Sequence, residues 1–169
     1  MKKIIAIAFL VVLTLSALPN RTQAQAYSKS IGADPLGLAF GLFNATFESK
    51  ISSTNSFTLF GSYWTYVDWS AYGFGGSYRW YFDLNDGKRP ITGLSAGPFA
   101  SVGFWTWGGP SYIDYSGGTS FAIGGEVAYK WVFGGFVVEP ILRLALPVSK
   151  VNGLNYTSFG LGCTLGYAW

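Results

Sequence analysis

Residues 119–148 read TSFAIGGEVAYKWVFGGFVVEPILRLALPV, and this stretch decides the fold. Gly134 and Gly135 separate two apolar runs by two residues, which is a strong signal for a tight β-hairpin. On both sides of the turn, large apolar side chains alternate with small or charged ones, as in a strand whose two faces differ. The stretch therefore predicts a long hairpin with one apolar face and one face of small and charged residues.

The two-residue turn also predicts the register of the hairpin. It places Lys130 opposite Glu139 and Glu126 opposite Arg143, and both pairs combine opposite charges. Directly opposed side chains interact, so the charges support this register. Large apolar residues outside and charged residues inside are the reverse of a soluble barrel, and they are what a strand in lipid requires.

The same alternation continues from residue 27 to the end of the chain. It predicts an all-β, eight-stranded antiparallel up-and-down transmembrane β-barrel. The predicted strands are residues 28–38, 42–50, 56–66, 71–82, 91–107, 119–133, 136–148 and 157–169. No helical periodicity follows residue 26. Pro98 and Pro140 fall inside predicted strands, where the missing N–H donor predicts a local β-bulge.

The N-terminus has the pattern of a secretory signal peptide. Lys2 and Lys3 precede an apolar run at residues 4–18, and residues 24–26 form a small-x-small cleavage site. The apolar run is short for a membrane-spanning helix, which makes an N-terminal anchor the weaker alternative. We predict a signal peptide at residues 1–26, removed on export, and one barrel domain at residues 27–169.

Composition narrows the classes of partner. Residues 1–26 carry three of the 11 basic residues and none of the eight acidic ones, so their removal lowers the formal net charge from +3 to zero. The mature chain therefore gives no reason to expect nucleic-acid binding. Only 11% of the residues are charged and 19% are aromatic. A soluble surface is normally about a quarter to a third charged, which favours a membrane barrel over a soluble one.

The charged residues on the inward face are the main candidate cluster. An eight-stranded barrel has an interior just wide enough for side chains to fill. We expect Glu126, Lys130, Glu139 and Arg143, with Arg79, to form a structural salt-bridge ladder there, which Glu48 would also join. The alternatives are a path for protons or ions and a carboxylate pair for acid–base chemistry.

Aromatic residues near the predicted strand ends form a second group. They are predicted to make interfacial girdles in the membrane. The group comprises Trp64, Tyr66, Trp69, Tyr72, Trp80, Tyr81, Trp105, Trp107, Trp131, Tyr167 and Trp169. Many lie at the predicted outer end, together with Tyr112 and Tyr115. A binding surface for a ligand or partner is the alternative interpretation of this excess.

The final strand carries a family resemblance. Residues 157–169 read TSFGLGCTLGYAW, with Leu165, Tyr167 and Trp169 at alternating positions up to an aromatic last residue. This resembles the C-terminal signal of bacterial outer-membrane barrels, which the barrel assembly machinery reads. DPLGLAFG, GSYRWYF, GLSAGPF and GEVAYKWVF also resemble the small eight-stranded outer-membrane β-barrel domain proteins of Gram-negative bacteria. The resemblance implies an outer-membrane location, contact with membrane lipid and assembly by that machinery, and we expect a monomer.

The sequence contains no catalytic motif. Histidine is absent, so a Ser-His-Asp or Cys-His arrangement and the usual transition-metal sites are excluded. This separates the chain from outer-membrane acyltransferases, lipid-A deacylases and omptin proteases. The single cysteine, Cys163, is predicted to face lipid as an apolar filler. We predict no enzyme activity, no cofactor and no metal.

The predicted function is that of a small outer-membrane barrel with a filled polar lumen. It would have a structural or binding role through outer loops at residues 67–70, 108–118 and 149–156. Residues 83–90 and the Gly134–Gly135 turn would face the periplasm. One alternative is passive transport or binding of a small hydrophobic ligand at the aromatic outer end. Another is a soluble secreted barrel that binds an apolar ligand.

Overall fold

The chain forms a closed antiparallel β-barrel. The structure is a computed structural model that describes residues 27–82, 91–110, 117–149, 151 and 159–169. The eight strands follow each other around the barrel in sequence order, and the last pairs with the first. They are β1 Lys29–Ala33, β2 Leu42–Lys50, β3 Asn55–Tyr66, β4 Trp69–Phe82, β5 Gly93–Trp107, β6 Gly118–Phe133, β7 Phe136–Pro147 and β8 Phe159–Ala168. The predicted barrel with eight strands is confirmed.

Several predicted segments lie outside the described residues. They are the signal peptide at residues 1–26, the turn at residues 83–90, and the larger parts of the loops at residues 108–118 and 149–156. The loop predicted at residues 67–70 is shorter than expected. Only Val67 and Asp68 separate β3 from β4.

The first strand was predicted wrongly. It ends at Ala33, and a short helix α1 follows at Pro35–Ala39. The Asp34 side chain caps this helix by accepting from the backbone N–H groups of Leu36 and Gly37, and Pro35 occupies the first turn. An acceptor side chain followed by proline is a typical signal for the start of a helix. Proline fixes φ near the helical value, and the backbone N–H that it lacks has no partner within the helix at this position. Among the described residues, no helix is both long and apolar enough to cross a membrane.

The register of the β6–β7 hairpin is the predicted one. Glu126 pairs with Arg143, Val127 with Leu142 and Phe133 with Phe136. Gly134 and Gly135 both have positive φ, at 60° and 97°, as a tight hairpin turn of this kind requires.

The predicted β-bulges at the two prolines are wrong. Strand pairing is interrupted on one side of each proline, on the β4 side of Pro98 and on the β6 side of Pro140. On the other side, Pro98 stays paired with Gly125 and Pro140 with Cys163. The register beyond each interruption is unchanged, so no extra residue is inserted. A missing N–H donor therefore opens the ladder locally without shifting it.

Burial in this barrel is inverted relative to a soluble protein. Glu48, Arg79, Glu126, Lys130 and Glu139 are each at most 3% exposed. Large apolar side chains face outward on every strand, and Leu161 is 75% and Leu146 67% exposed. Buried charged groups therefore lie in the lumen, and large apolar side chains lie on the outer wall.

Closure of the barrel depends on a short seam. Residues Ser30 to Ala33 of β1 pair with Leu165 to Ala168 of β8. The carbonyl of Trp169 accepts from the N–H groups of Ser28 and Lys29, at 2.9 and 3.0 Å. Beyond Ala33, α1 lies between β2 and β8, where β1 no longer separates them.

Candidate functional site

Six charged side chains from four strands meet in the lumen. β2 supplies Glu48, β4 supplies Arg79, β6 supplies Glu126 and Lys130, and β7 supplies Glu139 and Arg143. Alternation along each strand points all six inward, because residues two apart share a face. Three carboxylates and three cations make the formal charge of this charge network zero.

Arg79 is the centre of the charge network. Its Nε donates to Glu126 Oε1 at 2.6 Å, and its Nη1 donates to Glu48 Oε2 at 3.2 Å. The same Nη1 also donates to Glu139 Oε1. One guanidinium therefore holds carboxylates from β2, β6 and β7, which its planar fork of donors allows.

Lys130 makes a second connection across the lumen. Its Nζ pairs with Glu48 and lies 3.2 Å from Glu139 Oε2. It also donates to Ser30 Oγ at 3.1 Å. The network thus joins β6 and β7 to β1 and β2, which lie on the other side of the β1–β8 seam. These contacts stabilise the barrel where the pairing of β1 with β8 is short.

Neutral donors add further hydrogen bonds to the carboxylates of Glu48 and Glu126. Tyr81 OH donates to Glu48 Oε1 at 2.6 Å, and the Ser56 hydroxyl donates to the same oxygen. Ser77 Oγ donates to Glu126 Oε1 at 2.6 Å. Buried carboxylates are tolerated only when paired and hydrogen-bonded, and both conditions are met here.

Arg143 lies at the edge of the network. Its Nε donates to Glu126 Oε2 at 2.9 Å, and its side chain is 18% exposed, whereas that of Glu126 is 1% exposed. The guanidinium carbon lies 4.1 Å from the centre of the Phe60 ring and 5.8 Å from that of Phe99. These cation–π contacts fix the guanidinium between two aromatic rings.

Below the network, an apolar cluster fills the end of the lumen near the Gly134–Gly135 turn. Tyr81, Ile91, Val137 and Ala168 pack together, and the last three are at most 2% exposed. The charged layer and this apolar layer together occupy the lower lumen.

The opposite end of the lumen, called the upper lumen here, has different walls. Small residues and aromatic rings occupy its inward positions. These positions share the inward face with Arg79 and Arg143, either at even spacing along the same strand or through cross-strand pairing. They include Phe60, Ser62, Trp64, Trp69, Ala71, Gly75, Phe99, Ser101, Trp105, Trp107, Ser120 and Gly160. The rings of Trp64 and Trp105 meet at 5.5 Å across Ala71, which pairs with both.

The predicted lipid-facing girdle is therefore wrong for part of the aromatic group. Trp64, Trp69, Trp105 and Trp107 face the lumen. Trp69 is only 9% exposed, and Trp105 Nε1 donates to the inward Ser120 hydroxyl at 2.7 Å. Tyr81 also faces inward, where its hydroxyl donates a hydrogen bond to Glu48. Strand alternation, counted from Arg79, places all of these side chains inside.

The predicted cluster comes together as one network. The structure joins Arg79, Glu126, Lys130, Glu139 and Arg143, and it gives the predicted partner to each of Glu126 and Lys130. Glu48, named only as an additional candidate, binds both Arg79 and Lys130. Sequence reasoning missed Tyr81 as a donor to this network.

The C-terminal residues lie on the outer face. Leu165 pairs with Ala33 and Val138, and Tyr167 pairs with Ile31 and Phe136. The rings of Tyr167 and Trp169 stack with centres 6.4 Å apart. Cys163 is half-buried on the same outward-facing side of β8. No group of three or more His, Cys, Asp or Glu within the described ranges is arranged to hold a metal ion.

Comparison with known proteins yields no match to any protein-family model or to any curated protein sequence. The fold and the lumen chemistry are therefore the basis for assigning a function.

Proposed function

We propose that this chain is a small bacterial outer-membrane β-barrel protein. It is exported with a cleaved signal peptide, stands in the lipid as a monomer and binds a partner or ligand at its outer end. The observation that carries the proposal is the inverted burial, with the charge network inside and large apolar side chains exposed outside. A soluble secreted barrel would leave this apolar surface in water.

Strand length is consistent with this placement. The strands β3 to β7 contain 12 to 16 residues each. A membrane β-strand needs about 9–11 residues when tilted. These strands therefore cross the apolar layer and continue beyond it.

The contents of the lower lumen support binding rather than conduction. The charge network and the apolar cluster occupy successive layers there, and a charge crossing them would have to break buried ion pairs. We propose that the barrel forms no ion channel and that the charge network has a structural role. Passive transport through the lumen is the less favoured alternative.

Ligand binding at the outer end is favoured by one specific finding. Four tryptophans assigned from sequence to the lipid interface face the upper lumen instead. Lumen-facing rings do not contribute to an interfacial girdle, and we propose that they line the ligand site. A binding role through the outer loops, at Val67 and Asp68 and at residues 108–118 and 149–156, is compatible with the same site.

The C-terminal residues support assembly by the barrel assembly machinery. Trp169 closes the seam through its backbone, so Trp169→Ala keeps the closing hydrogen bonds and removes only the ring. We expect this variant to show a smaller folded fraction in cells and normal folding from denaturant in detergent. An equal loss in both settings would indicate a purely structural role for the ring.

The experiment for the main proposal combines fractionation with electrophoresis and conductance. We expect the mature chain in the outer-membrane fraction, with a shift in mobility on heating and no stepwise conductance in planar bilayers. Recovery from the soluble periplasmic or secreted fraction would contradict the membrane assignment. Reproducible conductance steps would contradict a closed lumen and leave the membrane assignment in place.

A further inference from the structure

Arg143 is where solvent reaches the charge network. The other five charged side chains are at most 3% exposed, whereas the Arg143 side chain is 18% exposed. Its Nε is occupied by Glu126, but no described residue accepts a hydrogen bond from its Nη1 or Nη2. A guanidinium has five N–H donors, so this side chain has donors beyond the one that Glu126 accepts from.

Open space lies on the inward face of the strand next to Arg143. Gly160 pairs with Arg143 across β7 and β8. Among the described residues, no atom lies within 4 Å of a Cβ added at Gly160, and the residue is exposed. Because Gly160 shares the inward face of β8 with Gly162 and Thr164, this space belongs to the upper lumen.

The walls around this space are apolar and aromatic. Phe60 and Phe99 pack edge to face with ring centres 6.4 Å apart, and both rings lie beside the Arg143 guanidinium. Toward the mouth, the Trp64 and Trp105 rings continue the wall. Concave apolar sites with a single well-placed charged group bind molecules that have an apolar body and one complementary head group.

We infer that the upper lumen binds an amphipathic monocarboxylate with an alkyl tail. The carboxylate accepts from the Arg143 Nη groups, for which the described residues provide no acceptor, and the tail lies between the phenylalanine and tryptophan rings. Arginine suits this head group because its donors match the two carboxylate oxygens. The inference adds the chemical class of the ligand to the proposed ligand-binding role. It rests on that proposed function, which turns the open end of the upper lumen toward the outside of the cell.

One negative charge on the ligand fits better than two. The Nη donors of Arg143 can pair with one carboxylate, whereas the charge network, which is already neutral, offers no excess positive charge for a second one. Asp34 also faces the lumen, beside Gly162, and its Oδ1 accepts from the N–H groups of Leu36 and Gly37. A second negative charge on the ligand would increase repulsion by Asp34 and Glu126.

The test uses the tryptophans of the upper lumen as reporters. The folded protein in bilayers is titrated with terminally brominated undecanoate, because bromine quenches tryptophan fluorescence on contact. The matched probe is terminally brominated undecanol, which has the same chain and no charge. We expect saturable quenching by the carboxylate and only non-saturating quenching, from partition into lipid, by the alcohol.

Three variants assign the site. Arg143→Gln should weaken carboxylate binding by about tenfold or more, as expected for loss of hydrogen bonds to a charged group. Gly160→Leu should abolish saturable quenching by filling the space. Gly125→Leu makes the same substitution on the outer wall, where the nearest atom to an added Cβ is the Gly97 carbonyl at 3.9 Å, and should bind like the wild type.

The outcomes separate this inference from the membrane proposal. Each variant is first checked for the heat-dependent mobility shift, which reports the folded membrane barrel. Equal saturable quenching by the alcohol, or wild-type binding by Arg143→Gln and Gly160→Leu, would overturn the assignment of the carboxylate site. Non-saturating quenching by both probes in a correctly inserted wild-type barrel would overturn the binding site itself and leave the membrane proposal standing.

Discussion

Glu126 lies directly across the β6–β7 hairpin from Arg143, and the Arg143 Nε donates to Glu126 Oε2 at 2.9 Å. The other oxygen, Oε1, accepts from Arg79 Nε and Ser77 Oγ, both at 2.6 Å. A single carboxylate thus connects the accessible edge of the charge network to its buried centre.

This connection predicts unequal effects of removing the two partners. Glu126→Ala leaves two guanidinium groups short of a carboxylate, so we expect a loss of about 3–5 kcal/mol in the free energy of unfolding. Arg143→Ala should cost about 1–2 kcal/mol, because Glu126 keeps Arg79 and Ser77.

The double variant tests the coupling. It should lose less than the sum of the two single losses, by about 0.5–3 kcal/mol, when urea unfolding is followed in bilayers by tryptophan fluorescence. Strictly additive losses would mean that the two side chains do not interact energetically.

The central position of Arg79 predicts a difference between two conservative substitutions. Lysine carries one nitrogen and cannot reproduce the Nε and Nη1 contacts of Arg79 to three carboxylates. Arg79→Lys should therefore destabilise by about 3–5 kcal/mol. Arg143→Lys replaces a single ion-pair contact and should cost about 1 kcal/mol. The same urea titration compares them, and a smaller loss for Arg79→Lys would contradict its role as the network's centre.

The two glycines of the hairpin turn should respond differently to substitution. Gly134 has φ of 60°, a conformation that asparagine also adopts, so Gly134→Asn should change stability by no more than about 0.5 kcal/mol. A Cβ at Gly135 would lie 2.5 Å from the Tyr167 ring, and the φ of 97° is unfavourable for alanine. Gly135→Ala should lose about 1–2 kcal/mol of unfolding free energy. Equal effects at both positions would argue against this turn geometry.

Local features of this fold are readable from the sequence. The Gly134–Gly135 turn and strand alternation are enough to place Glu126 opposite Arg143 and Lys130 opposite Glu139, because both pairs lie on adjacent strands. The capping signal of Asp34 and Pro35 was also present in the sequence. It was missed because a strand before β2 was needed to place the N-terminus of the mature chain on the periplasmic side.

Contacts across the lumen are harder to predict. Glu48 and Lys130 lie on strands that are not neighbours, and they meet only because the sheet closes on itself. The height at which they meet depends on strand stagger, which a single sequence does not reveal. The lumen tryptophans were misplaced for a different reason, since their positions near strand ends were given more weight than their inward phase along β3, β4 and β5.

The central claim, that the outer wall faces lipid, can be tested at Cys163, the only cysteine in the chain. It lies on the apolar outer face of β8, paired with Pro140. A nitroxide attached there reports its surroundings through relaxation by oxygen, which dissolves in lipid, and by a polar nickel chelate, which stays in water. The control is Ser101→Cys with Cys163→Ser, which moves the nitroxide into the upper lumen.

In reconstituted bilayers, we predict that the nitroxide at Cys163 is relaxed strongly by oxygen and weakly by the nickel chelate, with a lower oxygen-to-nickel ratio at residue 101. A nitroxide at Cys163 that is relaxed mainly by the nickel chelate would contradict the membrane barrel.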